Sequence, residues 1–321
     1  MIKILKKIIL LSSSSILAQS SDSDNFIPSN LISEDDSYKY KTTESDKDVK
    51  RYTLRKSPKT KEIILAAHSS HRSHSSHRSH SSHSSHSSHG SHGSHSSHGS
   101  HSSYNGVNVI DPSEAEPIID FVESKNLKLK FVLNTHHHYD HVGGNNDLKK
   151  KYKIKIVGYK NDKKRIPNID ILLEDNEIWK SENFEAKVIH IPGHTSGHIC
   201  FYFAKEKIAF TGDTLFSLGC GRIFEGTYEQ MYNSLNKLKK LPPDTKIYCG
   251  HEYTLQNSLF CSKYDKDNIN LKKKIFEIKD KLQRNLPTVP STLEEELTYN
   301  IFLRAKNLKD FSKLRDLKDN F

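Results

Sequence analysis

Thr135-His136-His137-His138-Tyr139-Asp140-His141 concentrates imidazoles and a carboxylate directly after the apolar run Phe131-Val132-Leu133. Mixed His and Asp ligation suits zinc, iron or manganese, and a centre that keeps coordination positions open is catalytic rather than structural. The apolar run has strand-forming chemistry, while Val142-Gly143-Gly144-Asn145-Asn146 supplies residues that break an extended segment. The expected order is strand, ligand loop, helix. His136 and His138 can project to one side of such a loop, and Asp140 and His141 can serve a second ion beside the first.

An isolated HxH pair is weak evidence, so further donors are needed. Three more segments offer them, each at a turn that follows a strand-like run, where a rigid sheet presents side chains to a shared cleft. Ala186–Ile191 alternates as a strand and is broken by Pro192-Gly193-His194-Thr195-Ser196-Gly197-His198, presenting His194. Ile208-Ala209-Phe210 leads into Thr211-Gly212-Asp213-Thr214, presenting Asp213, and Lys246–Cys249 runs into Gly250-His251-Glu252, presenting His251. Singly, each is an ordinary turn or a satisfied core histidine. Jointly they predict a binuclear centre, with His190 and His198 in supporting positions.

The stretches THHHYDHVGGN, GHTSGHICFY, FTGDTLFSLGCGRIFEGT, LPPDTKIYCGHEYT and VPSTLEEELTYNIFLR, in that order, make the chain from Val107 onward resemble the glyoxalase II family of the metallo-β-lactamase superfamily. The resemblance implies an α/β fold, an αββα sandwich with a small C-terminal α-helical domain. It assigns His136, His138 and His194 to a first metal, and Asp140, His141 and His251 to a second. Asp213 bridges the two. Two divalent ions per chain follow, zinc first, with iron or manganese as alternatives. Metal coordination lowers the pKa of water from 15.7 towards about 7, so a bridging hydroxide becomes the nucleophile. It attacks a thioester carbonyl whose oxyanion and departing thiolate the two ions stabilise. Asp140 and Asp213 are the expected catalytic residues, Asp140 as ligand and as orienter of the hydroxide.

The implied substrate is an S-(2-hydroxyacyl)glutathione, S-D-lactoylglutathione first, split into glutathione and a 2-hydroxy acid. Glutathione has two carboxylates, and Arg suits their bidentate pairing. The family's contacts to it fall here on Arg222, Phe224, Tyr253, Arg315 and Lys318, with Arg315 and Lys318 three apart on one helical face. Many relatives have Lys for Arg222 and Tyr for Phe224, and contact at the latter is expected through the backbone. Of the family's usual opening hairpin only Val109-Ile110-Asp111-Pro112 is recognisable. The first strands are expected within Arg51–Ala67.

After His251 the pattern turns helical. Helices are expected over Thr254–Tyr264 and Leu271–Asn285, then from Ser291-Thr292-Leu293-Glu294, which fits a capping box, with Pro287 and Pro290 between the last two. Thr227–Leu241, ended by Pro242-Pro243, reads as an outer helix of the sandwich.

From His68 to His101 histidine recurs at every third position among Ser, Gly and Arg, with no apolar residue to bury. Such a tract cannot offset its ordering entropy and reads as a disordered insertion in a surface loop. The domains expected are a signal-like leader at 1–19, a polar linker at 20–50, a catalytic domain at 51–252 containing the insertion at 68–103, and a helical glutathione-binding domain at 253–321. Lys3, Lys6 and Lys7 before Ile8–Leu11, with Ala18 after, give the leader its secretory look. A plastid reached by the secretory route, apicoplast-like, is the expected address, with the cytoplasm as alternative.

The 321 residues are 34% hydrophobic and carry a net charge of +10, which suggests one core diluted by polar segments. Lys is spread without an RNA-binding motif, so the charge is read as solubility and attraction of an anionic thioester, not as specific nucleic-acid binding. No membrane span and a monomer are expected. Cys200, Cys220, Cys249 and Cys261 lack CxxC spacing and read as reduced thiols. Two rival functions remain: a mononuclear-iron persulfide dioxygenase of the same fold, and a histidine-rich metal or haem-binding protein.

Overall fold

The computed structural model describes residues 106–181 and 184–321, preceded by the backbone pairing of three short strands. These are β1 (Ile8–Ile9), β2 (Tyr52–Thr53) and β3 (Ile63–Ala66), β3 pairing parallel with β1 and antiparallel with β2. β2 and β3 fall inside the range where the first strands were expected, and β1 falls inside the leader. The linker at 20–50 and the insertion at 68–103 lie outside the described residues.

One sheet is wholly parallel: β4 (Gly106–Ile110), β5 (Lys128–Leu133), β6 (Lys155–Tyr159) and β7 (Ile171–Leu173), in that order. Parallel neighbours need crossovers, and α1 (Glu116–Ser124) and α3 (Asn145–Tyr152) supply them. Ile118, Phe121 and Val122 of α1 and Leu148 of α3 bury against Val107, Val109, Val132 and Ile156 on the sheet's outer face.

The second sheet runs β15-β14-β11-β10-β9-β8. Its strands are β8 (Ile178–Ser181), β9 (Phe184–His190), β10 (Ile199–Phe203), β11 (Ile208–Gly212), β14 (Lys246–Cys249) and β15 (Ser291–Thr292). Alternation along its strands decides the layers, because successive side chains face opposite sides. Val188, Phe201, Phe203 and Phe210 point to the core shared with Leu133 and Val157 of the first sheet. Ile189, Cys200, Tyr202 and Ala209 face the other way, into a core with Met231 and Leu235 of α4 (Tyr228–Leu238). The order of layers is therefore helix, sheet, sheet, helix.

Four further helices share that outer core: α5 (Thr254–Tyr264), α6 (Ile269–Gln283), α7 (Leu293–Tyr299) and α8 (Leu308–Asp319), through Phe260, Leu271, Ile278, Leu293 and Phe311. They grip the hairpin of β12 (Leu215–Phe216) and β13 (Gly219–Cys220): Asn257 donates to Ser217 O, and Asn300 to Gly219 O.

Three local expectations are corrected. Gly143 and Gly144 do not break the chain after α2 (Tyr139–Val142), since both are right-handed helical and α3 follows at once. Gly143 is needed for close approach, because a Cβ there would lie 2.3 Å from Ser113 O. The capping box sits one residue later than expected, on Thr292 and Glu295. Ser291 is held in sheet pairing with Ile247 and is not the cap. Finally, α4 and α6 end at Leu238 and Gln283, short of Leu241 and Asn285.

Candidate metal centre

The donors hang from the carboxyl ends of strands that run in one direction within each sheet. β5 ends in the loop and short helix carrying His136, His138, Asp140 and His141; β9, β11 and β14 are followed by His194, Asp213 and His251. Among the described residues three sets of donors have ligand atoms within 4.8 Å of one another: His136, His138 and His194; Asp140, His141 and His251; and Asp111, His136 and His141, which shares a histidine with each of the other two.

Asp213 stands between the first two. Its Oδ2 lies 3.5 Å from His194 Nε2 and 3.2 Å from His251 Nε2, and its Oδ1 lies 3.4 Å from His141 Nε2. Asp140 Oδ2 is 3.3 Å from His251 Nε2 and 3.7 Å from His141 Nε2, and His194 Nε2 is 3.0 Å from His138 Nδ1. Donors bound at about 2.0–2.2 Å to one tetrahedral ion stand roughly 3.3 Å apart, so these spacings fit shared cations.

Hydrogen bonding fixes which ring nitrogen faces inward. His194 Nδ1 donates to Arg222 O at 2.7 Å, leaving the Nε2 lone pair for the centre. His136 Nδ1 is 3.1 Å from the Thr135 hydroxyl, which itself donates to Asp111 Oδ2 at 2.6 Å. His136 Nε2 is buried without a hydrogen-bond partner among the described residues, the condition a ligating nitrogen leaves when its ion is taken away. His141 Nδ1 lies 3.1 Å from Asp111 Oδ2. A carboxylate behind a histidine in this way raises its basicity and holds its orientation.

Burial lowers the pKa of His136 and His194, and brings His138 down to about 4 with help from His194. These rings are neutral at pH 7, the form that binds metal. Burial is the largest influence on His141 and His251 and opposes their protonation, yet the carboxylates together outweigh it, Asp213 with Asp111 at His141 and Asp213 with Asp140 at His251, which rises to about 9. Burial would raise the pKa of Asp140 and Asp213, but His251 and His141 hold both well below the carboxylate range. Packed anionic carboxylates that recruit protons onto histidines are a demand for cations, and the residues present fit two divalent ions.

His190 and His198 lie outside these donor sets. His198 stacks on His136 with centroids 4.6 Å apart and accepts from Asp213 N. His190 stacks on Tyr159 and hydrogen-bonds Ser196 O through Nε2. All four cysteines are free and buried.

The expected substrate contacts divide. Tyr253 stacks on His251, and Phe224, exposed, sets its ring edge against His138 and His194. The Phe224 amide donates to His194 O. Arg222 and Arg315 meet on Asp319 Oδ1, at 3.1 and 3.0 Å. Arg315 is buried and also donates to Cys220 O. Lys318 Nζ sits over the rings of Phe260 and Phe321 without a hydrogen-bond partner among the described residues, and burial, then Arg315, lowers it to about 8. Asp111, Thr135 and Asp319 are the residues that sequence reasoning missed.

Residues 105–251 match the Metallo-beta-lactamase superfamily, and residues 252–321 match the Hydroxyacylglutathione hydrolase C-terminus. A hydroxyacylglutathione hydrolase of Pelagibacter ubique (strain HTCC1062) is 68% identical over 213 residues, spanning 66% of this chain and 89% of the relative. The chain belongs to the hydroxyacylglutathione hydrolase family. A second family member, from Prochlorococcus marinus (strain MIT 9301), is 48% identical over 66% of this chain and 87% of its own length. Among solved structures, ETHE1 from Myxococcus xanthus superposes with a TM-score of 0.52 at 23% identity, covering 67% of this chain and 81% of that one. That likeness shows a shared fold and nothing more, and the hydroxyacylglutathione hydrolase assignment rests on the sequence relatives.

Proposed function

We propose that the chain hydrolyses S-(2-hydroxyacyl)glutathione, S-D-lactoylglutathione foremost, to glutathione and the 2-hydroxy acid. The observation that carries this is Asp213 standing between two three-donor sets in a chain whose relatives are named hydroxyacylglutathione hydrolases. Two divalent ions, when bound, supply hydroxide near neutrality and positive charge for the oxyanion and the thiolate. Water adds its oxygen to the acyl carbon, the carbon–sulfur bond breaks, and the thiol takes the second proton.

His136, His138 and His194 would hold the first ion and Asp140, His141 and His251 the second, with Asp213 placed to serve both. Asp140 is also half-exposed to the cleft and ionised, so it can accept a hydrogen bond from the attacking water and orient it. Arg222, Arg315 and Lys318 hold the tripeptide's carboxylates, Tyr253 and Phe224 line its path, and the division at 252/253 separates the catalytic from the glutathione-binding part. Zinc is the proposed metal, and the chain is proposed to act as a monomer. Six donors in two three-residue sets, with Asp213 between them, favour this over the single-iron dioxygenase. None of the helices of the described residues is long and apolar enough to cross a membrane. A secretory-route organelle stays the proposed address, and N-terminal sequencing of the mature protein tests it.

The test of function is metal analysis with a thioester assay on S-D-lactoylglutathione. Two ions per chain and turnover abolished by chelation are expected, and Asp140→Ala should lose an ion and at least about a hundredfold in kcat. Full turnover after complete metal removal would overturn the reading.

A further inference from the structure

Beside the centre lies a charged cluster that the proposed chemistry leaves unused. Asp162, in the turn that follows β6, is fully buried, and Arg165 answers it with Nε and Nη2 on Oδ1 at 3.1 and 2.5 Å. A buried carboxylate needs such a partner, because isolating it from water is costly unless it is paired. The same guanidinium reaches Glu225 Oε1 at 2.6 Å and Ser196 Oγ at 3.0 Å. Glu225 Oε2 in turn accepts from Ser196 N and Oγ, both at 2.8 Å. Burial would raise the Glu225 pKa, but Arg165 and Ser196 hold it down to about 2.

What the cluster touches gives it a role. His137, between the donors His136 and His138, lies 3.6 Å from Asp162 Oδ2 through Nδ1 and 3.4 Å from Glu225 Oε1 through Nε2. The loop bearing His194 passes directly over Asp162: a Cβ on Gly197 would sit 2.1 Å from Asp162 Oδ1. Glu225 and Phe224 both donate backbone N–H groups to His194 O, and Gly226 donates to Gly193 O. One planar fork thus joins the three segments that carry or brace the first donor set. The second set is braced by Asn134 donating to His141 O and by Asp111 behind His141, and Asp111 reaches the first set only at His136, through Thr135.

We propose that Arg165, acting through Asp162, Glu225 and Ser196, is the positioning residue that fixes His136, His138 and His194, and so sets how tightly that half of the centre holds its ion. This rests on the metal-centre reading above. Lysine cannot replace the fork, since one ammonium cannot meet Asp162, Glu225 and Ser196 in a single plane.

The experiment strips the purified full-length chain of metal and titrates it with Co(II), following visible absorption, with circular dichroism as the check on folding. Wild type should take two equivalents. Arg165→Lys should weaken one equivalent ten- to a hundredfold and leave the other unchanged, with roughly that range being what lost support behind a ligand costs. Glu225→Gln, at a side chain only 30% exposed but not fully buried, should shift the same equivalent in the same direction. Adding Asp140→Ala to Arg165→Lys should weaken both. Lys149→Ala, which breaks an ion pair to Asp170 away from the centre, should leave both as in wild type. Folded Arg165→Lys or Glu225→Gln binding two equivalents with wild-type affinity overturns the proposal, and if Arg165→Lys does not fold, Glu225→Gln decides. A wild type that takes fewer than two equivalents removes the metal-centre reading and this proposal with it, whereas two equivalents in wild type and unchanged variants remove this proposal alone.

Discussion

Asp111 braces the candidate centre from behind its histidines. Its two carboxylate oxygens take the Thr135 amide at 2.7 Å and the Thr135 hydroxyl at 2.6 Å, and the second also faces His141 Nδ1. The side chain therefore anchors the start of the ligand loop and sets the His141 tautomer. Asp111→Asn keeps the shape, and Asn tolerates the positive φ of 52° at this position. One oxygen becomes an N–H donor facing donors, so affinity for the ion held by Asp140, His141 and His251 should fall about ten- to a hundredfold. Isothermal titration of the stripped protein with zinc checks this, and an unchanged second binding step would refute it. The direct donors were legible because each follows its own strand and breaker. Asp111 was not, because Ile110-Asp111-Pro112 reads as any turn, and its role depends on the parallel register that sets Ile110 against Leu133.

At the scale of elements, the β12–β13 hairpin is held by α7 through a buried carboxyl. Glu296 Oε2 accepts from Leu218 N and from Asn300 Nδ2, each at 2.9 Å. Full burial raises Glu296 to about 7, against hydrogen bonds from Ser291, Asn300 and Leu218 that pull it down. The sign follows: with the folded pKa above the unfolded one, the folded state binds the extra proton between pH 4.5 and 7, so its stabilisation is full below about 4.5 and is lost as pH rises through 7. Glu296→Gln mimics the neutral form. Between pH 5 and pH 8 the variant should gain stability relative to wild type, on the order of 2 kcal/mol, read from urea midpoints at the two pH values. Identical pH slopes would refute the argument. Sequence periodicity found α5 to the residue and missed the start of α7 by one. Propensity ranks Ser ahead of Thr as a cap, and only the pairing of β15 with β14 takes Ser291 away.

For the whole molecule, the layers follow from alternation: strands whose two faces are both apolar must be covered twice, by a second sheet and by helices. That much was readable from the runs around Phe201 and Phe210. The continuity of the outer core was not, since nothing local says that Phe260, Phe302 and Phe311 pack with Ile189 and Ile247. The 36-residue stretch 68–103 is composed of His, Ser, Gly and Arg alone and holds no apolar side chain. Every donor of the proposed centre lies after it, between His136 and His251. Deleting 68–103 should therefore leave two tightly held ions per chain and kcat/KM within about twofold of wild type. Stability should change by no more than about 1 kcal/mol, the scale of closing a long loop versus a short one. Metal content, thioester turnover and urea unfolding of the two proteins side by side check all three. If the deletion strips the tightly held ions or abolishes turnover, the repeat is part of the working centre, and the chain is better read as a histidine-rich metal carrier on a hydrolase scaffold.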